Sequence, residues 1–152
     1  MRSSRAAVGL IRMGQADQPL WLVQWNEHWR MFNLISGHIE ENESYRECLM
    51  REIEEELGLI RDEEFAIPAH PFGRLEFTAR SERAGEDTDY IFELFEVRLR
   101  GNSSIRKIAS NPNNRWLTRE EIRKGRCFDG KPVNSRIEEM LLLLEARGLH
   151  GG

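Results

Sequence analysis

The sequence predicts an α/β fold, a set of mixed strands with one central and one terminal helix. Three observations predict it. Short β-branched and aromatic runs recur on both sides of a single acidic helical segment. A second apolar run at helical spacing closes the chain. Glycine, proline and polar clusters separate these segments without any internal repeat or linker.

The elements follow in order. Residues 6–13 read as a first strand and 14–19 as a turn. Residues 20–25 form a second strand, 26–30 a loop and 31–35 a short strand. The central helix starts near residue 45, because Ser44 followed by Glu47 is a capping-box pattern, and Gly58 after Leu57 stops it. Residues 65–67 start another strand, and Pro68 and Pro71 break regular structure. Residues 73–79 and 90–100 are strands joined by the polar connection 81–89. The stretch 101–114 reads as irregular and polar, and 115–117 as a short strand. Thr118 with Glu120 and Glu121 begins a helix. Asn134 or Ser135 caps the last helix, where Ile137, Met140, Leu141 and Leu144 keep helical spacing and Gly148 marks the end.

Composition narrows the function. At 152 residues, 39% hydrophobic and 32% charged, the chain suits one globular domain spanning residues 1–152. A pI near 5.7 gives no electrostatic drive toward nucleic acid or anionic membranes. No apolar run approaches the roughly 20 residues of a membrane span. The first 13 residues read as a strand and not as a signal peptide, since Arg12 interrupts the apolar stretch. Cys48 and Cys127 lack metal or redox spacing and read as free thiols of a reducing cytoplasm.

The charge is not spread evenly. Residues 37–59, GHIEENESYRECLMREIEEELGL, hold eight glutamates against Arg46 and Arg51. Glu52, Glu55 and Glu56 stand at i, i+3 and i+4, which places them in roughly a 100° sector of a helix. Leu49, Ile53 and Leu57 form the adjacent apolar stripe. Carboxylates crowded on one helix face repel each other unless a cation neutralises them, and hard oxygen donors suit Mg²⁺ or Mn²⁺ better than zinc. Mg²⁺ is commonly shared with substrate phosphates, so the inferred substrate is a phosphate compound. A solvated acidic helix face is the alternative that these residues alone leave open.

The same segment resembles the Nudix box, G-x5-E-x7-R-E-U-x-E-E-x-G-U, where U is a bulky aliphatic residue. Gly37, Glu43, Arg51, Glu52, Ile53, Glu55, Glu56, Gly58 and Leu59 fill every specified position. Ile35 and Ser36 stand where the family often has Pro-Gly, a change that bears on subfamily. The resemblance implies an α/β/α sandwich with a mixed sheet between helices. It implies a hydrolase that splits a diphosphate linkage in a nucleoside diphosphate derivative, using Mg²⁺ or Mn²⁺. The implied metal ligands are Glu52, Glu55 and Glu56, with the Gly37 carbonyl. Arg51 and Glu43 are the implied supporting pair, joined through the planar guanidinium fork. The general base varies within the family, and Glu76, Glu93 and Glu96 on strands are candidates beside the box glutamates.

The substrate-binding residues stay unassigned. Trp25 and Trp29 flank a loop near the box and could stack on a base, with core or rim packing as the plainer reading for them and for Trp116. Arg30, Arg74 and Arg80 could meet phosphates or simply face solvent. His38 has the best claim of the four histidines to see substrate. Two other functions fit the fold. A diphosphate isomerase would need a catalytic cysteine in its own motif, which neither cysteine supplies. A nucleotide-sensing module would typically lose box carboxylates, and these are intact. The expected partner is a small nucleoside diphosphate derivative, with no membrane and no long nucleic acid; dimers are frequent in the family.

Overall fold

The computed structural model describes residues 2–14, 17–81 and 85–151. Its axis is β1 (Arg2–Met13), long enough to carry three partners on two edges. β2 (Leu20–Asn26), β3 (Met31–Asn33) and β4 (Ile35–His38) follow, and then the box helix α1 (Tyr45–Leu57). β5 (Phe65–Ala66), β6 (Gly73–Ser81) and β7 (Glu86–Leu99) complete the first half of the sheet. α2 (Gly101–Ala109), β8 (Asn114–Leu117), α3 (Arg119–Lys124) and α4 (Arg136–Gly151) close the chain.

β1 runs parallel to β7, from Arg2 opposite Thr88 to Ile11 opposite Val97. On its other edge β4 pairs antiparallel with the middle of β1, and β2 takes over at its end. β2 also holds β3 and β8, while β7 holds β6 and β5. Strand side chains alternate between faces, and each face has its own core. Ala7, Ile11, Leu22, Phe95 and Val97 meet Leu49, Ile53 and Leu57 of α1 and Ile108 of α2. Val8, Leu10, Val23 and Leu94 meet Ile122 of α3 and Ile137, Met140 and Leu141 of α4. The result is the expected α/β/α sandwich around a mixed sheet.

Several boundaries differ from the sequence reading, each for a physical reason. Residues 101–109 are helical although Asn102, Ser103 and Ser104 are poor helix formers. Ile108 is fully buried against the α1 core, and burial of such a side chain, about 1.5–3 kcal/mol, overrides the weak propensity. The strand expected at 31–35 is broken at Leu34, and its second half continues through Gly37 and His38 by pairing with β1. Residues 86–89 belong to β7 and Ser81 to β6, where it pairs with Glu86, so the polar connection expected over 81–89 is shorter; residues 82–84 lie outside the described residues. α4 continues past Gly148 to Gly151, because one glycine weakens a helix without ending it. At the start of α1 only half of the capping box is formed: Ser44 accepts the Glu47 N–H at 3.1 Å. Both halves are formed at Thr118 and Glu121.

No helix among the described residues is long and apolar enough to cross a membrane. Both cysteines are free and buried.

Candidate active site

The site is built where β4 ends, the 39–44 loop turns and α1 begins. Leu49, Ile53 and Leu57 are buried and fix the roll of α1. The acidic face is therefore turned out of the core beside β4. Gly58 ends the helix with φ +68 and donates its N–H to the Glu54 carbonyl at 3.1 Å.

Arg51 is the hub. Its Nε donates to Glu43 Oε2 at 2.8 Å and its Nη2 to Glu43 Oε1 at 3.0 Å, a two-pronged contact with the loop. Its Nη1 donates to Glu52 Oε1 at 2.9 Å. The same nitrogen lies 3.6 Å from Glu40 and 3.7 Å from Glu55. Hydrogen bonding to Arg51 holds the Glu43 carboxyl down at about 2, and the same contact raises Arg51. The sequence reading paired Arg51 with Glu43; the structure adds Glu52 as a second carboxylate partner.

Glu52 is held differently. Its side chain is 16% exposed, and burial pushes its carboxyl up despite Arg51. Gly37 makes that burial possible: a Cβ at position 37 would overlap Glu52 Cγ and Cδ. The Gly37 carbonyl accepts from Cys48 Sγ at 3.2 Å, and burial raises that thiol to about 11. Glu55 is open to solvent, with its side chain 58% exposed. Glu54 points elsewhere and pairs with Arg61 at 2.6 Å.

Among the described residues no three His, Cys, Asp or Glu side chains already converge on one point. The donor set still suits a hard divalent cation. It consists of three carboxylates on one helix face and a backbone carbonyl at a glycine whose missing Cβ leaves room for Glu52.

Glu56 leads to a cleft of about 280 Å³ lined by residues of β2, β3 and β4. Trp25 lines it, packing edge-on against Phe32 with centroids 5.1 Å apart and donating Nε1 to Glu27 at 2.8 Å. Trp29 is 51% exposed on the β2–β3 hairpin, and Trp116 packs against the α1 core. Gln24, Asn33 and Ser36 also line the cleft and were missed in the sequence. Their shared location depends on strand pairing and leaves no spacing signal in the chain.

Strand register sorts the general-base candidates. Directly paired residues face the same side. Glu93 lies opposite Ala7, which lies opposite Gly37, so these three form one row on the α1 face. Glu76 shares that face but pairs with Arg74 at 2.7 Å. Glu96 lies opposite Leu10, whose side chain belongs to the other core, so it faces away from α1. His38 sits on β4, with Nδ1 3.1 Å from Ser4 Oγ. Arg80 lies on β6 opposite Asp87, and Arg30 takes a left-handed backbone at φ 53 next to β3.

The comparisons agree with this geometry. The NAD-capped RNA hydrolase NudC of Mycobacterium tuberculosis H37Rv is 32% identical over 126 residues, 80% of this chain and 35% of that protein. The chain thus spans about a third of the length of the curated relatives it matches. Among solved structures, a Caenorhabditis elegans Ap4A hydrolase superposes with a TM-score of 0.62 at 16% identity, covering 96% of this chain and 98% of that one. Shewanella oneidensis NrtR, solved with a 27mer DNA, superposes with a TM-score of 0.66 at 14% identity, over 93% of this chain and 60% of that one. At such identities these two show a shared fold. The sequence matches the family described as NUDIX domain over residues 3–137. That match takes in β1 through the start of α4 with the whole acidic helix inside it, and the chain belongs to the Nudix family.

Proposed function

We propose that this chain is a divalent-cation-dependent hydrolase that splits a diphosphate linkage in a nucleoside diphosphate derivative. The observation that carries the reading is the division of labour among the box carboxylates. Arg51 pins Glu43 and Glu52, whereas Glu55 is open to solvent and Glu56 borders a cleft.

Members of the family generally use divalent metal ions. Mg²⁺ or Mn²⁺ fits the oxygen donors of Glu52, Glu55, Glu56 and the Gly37 carbonyl. When bound, such an ion offsets diphosphate charge and lowers the pKa of a water. The chain's own residues do the rest. Arg51 holds the 39–44 loop through Glu43 and orients Glu52. Gly37 lets Glu52 lie against β4. Glu93, in the row of Gly37 on the α1 face, is the best placed of the strand carboxylates to accept a proton from water.

The names of the relatives, an NAD-capped RNA hydrolase and an Ap4A hydrolase, support a substrate with nucleotides joined through phosphates. The acidic pI supports a small nucleotide derivative over long nucleic acid. Two buried free thiols support a reducing, cytoplasmic setting, and the contiguous NUDIX match supports one domain over 1–152. Burial raises both thiols, which argues against a cysteine-dependent isomerase. The intact carboxylates argue against a purely sensing module.

The test is a product screen of nucleoside diphosphate derivatives with Mg²⁺, with EDTA, and with Mg²⁺ restored. Turnover that EDTA abolishes and Mg²⁺ recovers is expected. Full activity in EDTA, or no cleavage across the panel, contradicts the reading.

A further inference from the structure

The cleft beside Glu56 carries a chemistry of its own. Its volume of about 280 Å³ falls just below the range of small-molecule pockets, roughly 300–1,000 Å³, a size that suits one ring system rather than two. Gln24, Trp25, Asn26, Glu27, Asn33 and Glu56 line it, and among the described residues no Lys, Arg or His does.

Three amides stand in one row across β8, β2 and β3: Asn114 opposite Gln24, and Gln24 opposite Asn33. Backbone groups fix their orientation from both ends. Asn114 Nδ2 donates to the Ile108 carbonyl at 2.9 Å, so its Oδ1 is the atom that accepts Gln24 Nε2 at 2.9 Å. Gln24 is left with Oε1, an acceptor. Asn33 Oδ1 accepts the Leu34 N–H at 2.9 Å and Asn134 Nδ2 at 3.2 Å. Asn33 is left with Nδ2, a donor. As direct cross-strand partners their Cβ atoms are about 4.5–5.5 Å apart. The cleft therefore offers an acceptor beside a donor on the α1 face of the sheet, with Glu27 and Glu56 among its lining residues, while the Trp25 ring packs on the opposite face against Phe32.

We propose that Gln24 and Asn33 are specificity-determining residues that read the donor–acceptor edge of a nitrogen heterocycle at one end of the diphosphate substrate. The ring is neutral or cationic. An amide or amidine edge, N–H beside C=O or ring N, satisfies both groups. A ring bearing a carboxylate leaves Gln24 Oε1 facing an acceptor and meets the charge of Glu27 and Glu56. This inference rests on the hydrolase reading and adds to it which part of the substrate lies beside Glu56.

The test uses matched dinucleotides that differ in one ring. Nicotinamide adenine dinucleotide is compared with its nicotinate analogue, which changes the pyridine edge. It is also compared with its analogue bearing unsubstituted purine in place of adenine, which removes the exocyclic N–H donor from the purine edge. The corresponding mononucleotides are compared by calorimetric binding. Wild type is expected to discriminate by at least about tenfold in one of the two pairs, which identifies the end that enters the cleft. Asn33→Asp keeps the oxygen that holds Leu34 and Asn134 but replaces the free donor with an acceptor. It should shift that ratio by at least about tenfold, mainly through KM, and Gln24→Met should narrow it. Lack of discrimination by wild type in both pairs overturns the proposal. So does a ratio that neither variant moves. If no dinucleotide is cleaved, the hydrolase reading fails, and the mononucleotide binding ratios still decide for or against the cleft.

Discussion

Gly37 and Glu52 are packed so closely that no residue with a Cβ could stand at position 37 without displacing the carboxylate. The virtual Cβ overlaps Glu52 Cγ and Cδ, and no left-handed φ is required there. The glycine is thus demanded by space and not by backbone conformation. Gly58 is the converse case, with φ +68 and nothing within 4 Å of a Cβ.

These two glycines give separable outcomes. Gly37→Ala should leave the fold formed but move Glu52, lowering kcat/KM by at least about tenfold, or ~1.4 kcal/mol of barrier. Gly58→Ala should cost roughly 1–2 kcal/mol of stability through its left-handed backbone, with a much smaller effect on turnover. Chemical denaturation and steady-state kinetics on both variants check this. Equal activity loss in the two would contradict it.

Arg51 and Glu43 should behave as one unit. Arg51→Lys keeps charge but loses the fork, so it should weaken activity while cation binding persists. Combined with Glu43→Gln it should be non-additive, with a coupling of about 0.5–3 kcal/mol in a double-mutant cycle on kcat/KM. Strict additivity would leave Arg51 as an ordinary helix arginine.

The same pair gives stability a defined pH dependence. Arg51 depresses the Glu43 carboxyl from 4.5 to about 2 in the folded chain. The unfolded chain binds that proton more readily, so the stabilisation is full above pH 4.5 and is lost as pH falls toward 2. Urea unfolding of wild type and Glu43→Gln should differ at pH 7 and converge at the acid end. A gap that stays constant down to low pH would show that Glu43 is not held by Arg51.

The helix 101–109 should matter for stability more than its composition suggests. Ile108→Ala empties a fully buried position against the α1 core and should cost about 2–5 kcal/mol, read as a lower denaturation midpoint. A cost below ~1 kcal/mol would mean that the segment is peripheral.

What the sequence made legible was local. Glu52, Glu55 and Glu56 lie within five residues, so helical geometry alone groups them, and Ser44 and Gly58 mark the ends of their helix. Glu43 and Arg51 are eight apart and needed the resemblance to be paired. Gln24, Asn33 and Asn114 could not be joined at all from the sequence, since only the pairing of β2 with β3 and β8 aligns them. The helix at 101–109 was hidden for a related reason: Asn102, Ser103 and Ser104 argue locally against it, and the burial of Ile108 that decides the matter is tertiary. Glu96 shows the limit in another way. Its strand was foreseen, but which face it takes depends on register with β1.

The central claim is that one face of α1 holds the cation, and Mn²⁺ binding measured by electron paramagnetic resonance tests it without relying on turnover. Position 54 points about 200° from Glu52 around the helix, and Glu54 is engaged by Arg61, whereas Glu56 borders the cleft. Wild type and Glu54→Gln should bind Mn²⁺ alike. Glu56→Gln should bind at least about tenfold more weakly, a loss of ~1.4 kcal/mol. Equal Mn²⁺ affinity in Glu54→Gln and Glu56→Gln would contradict the account.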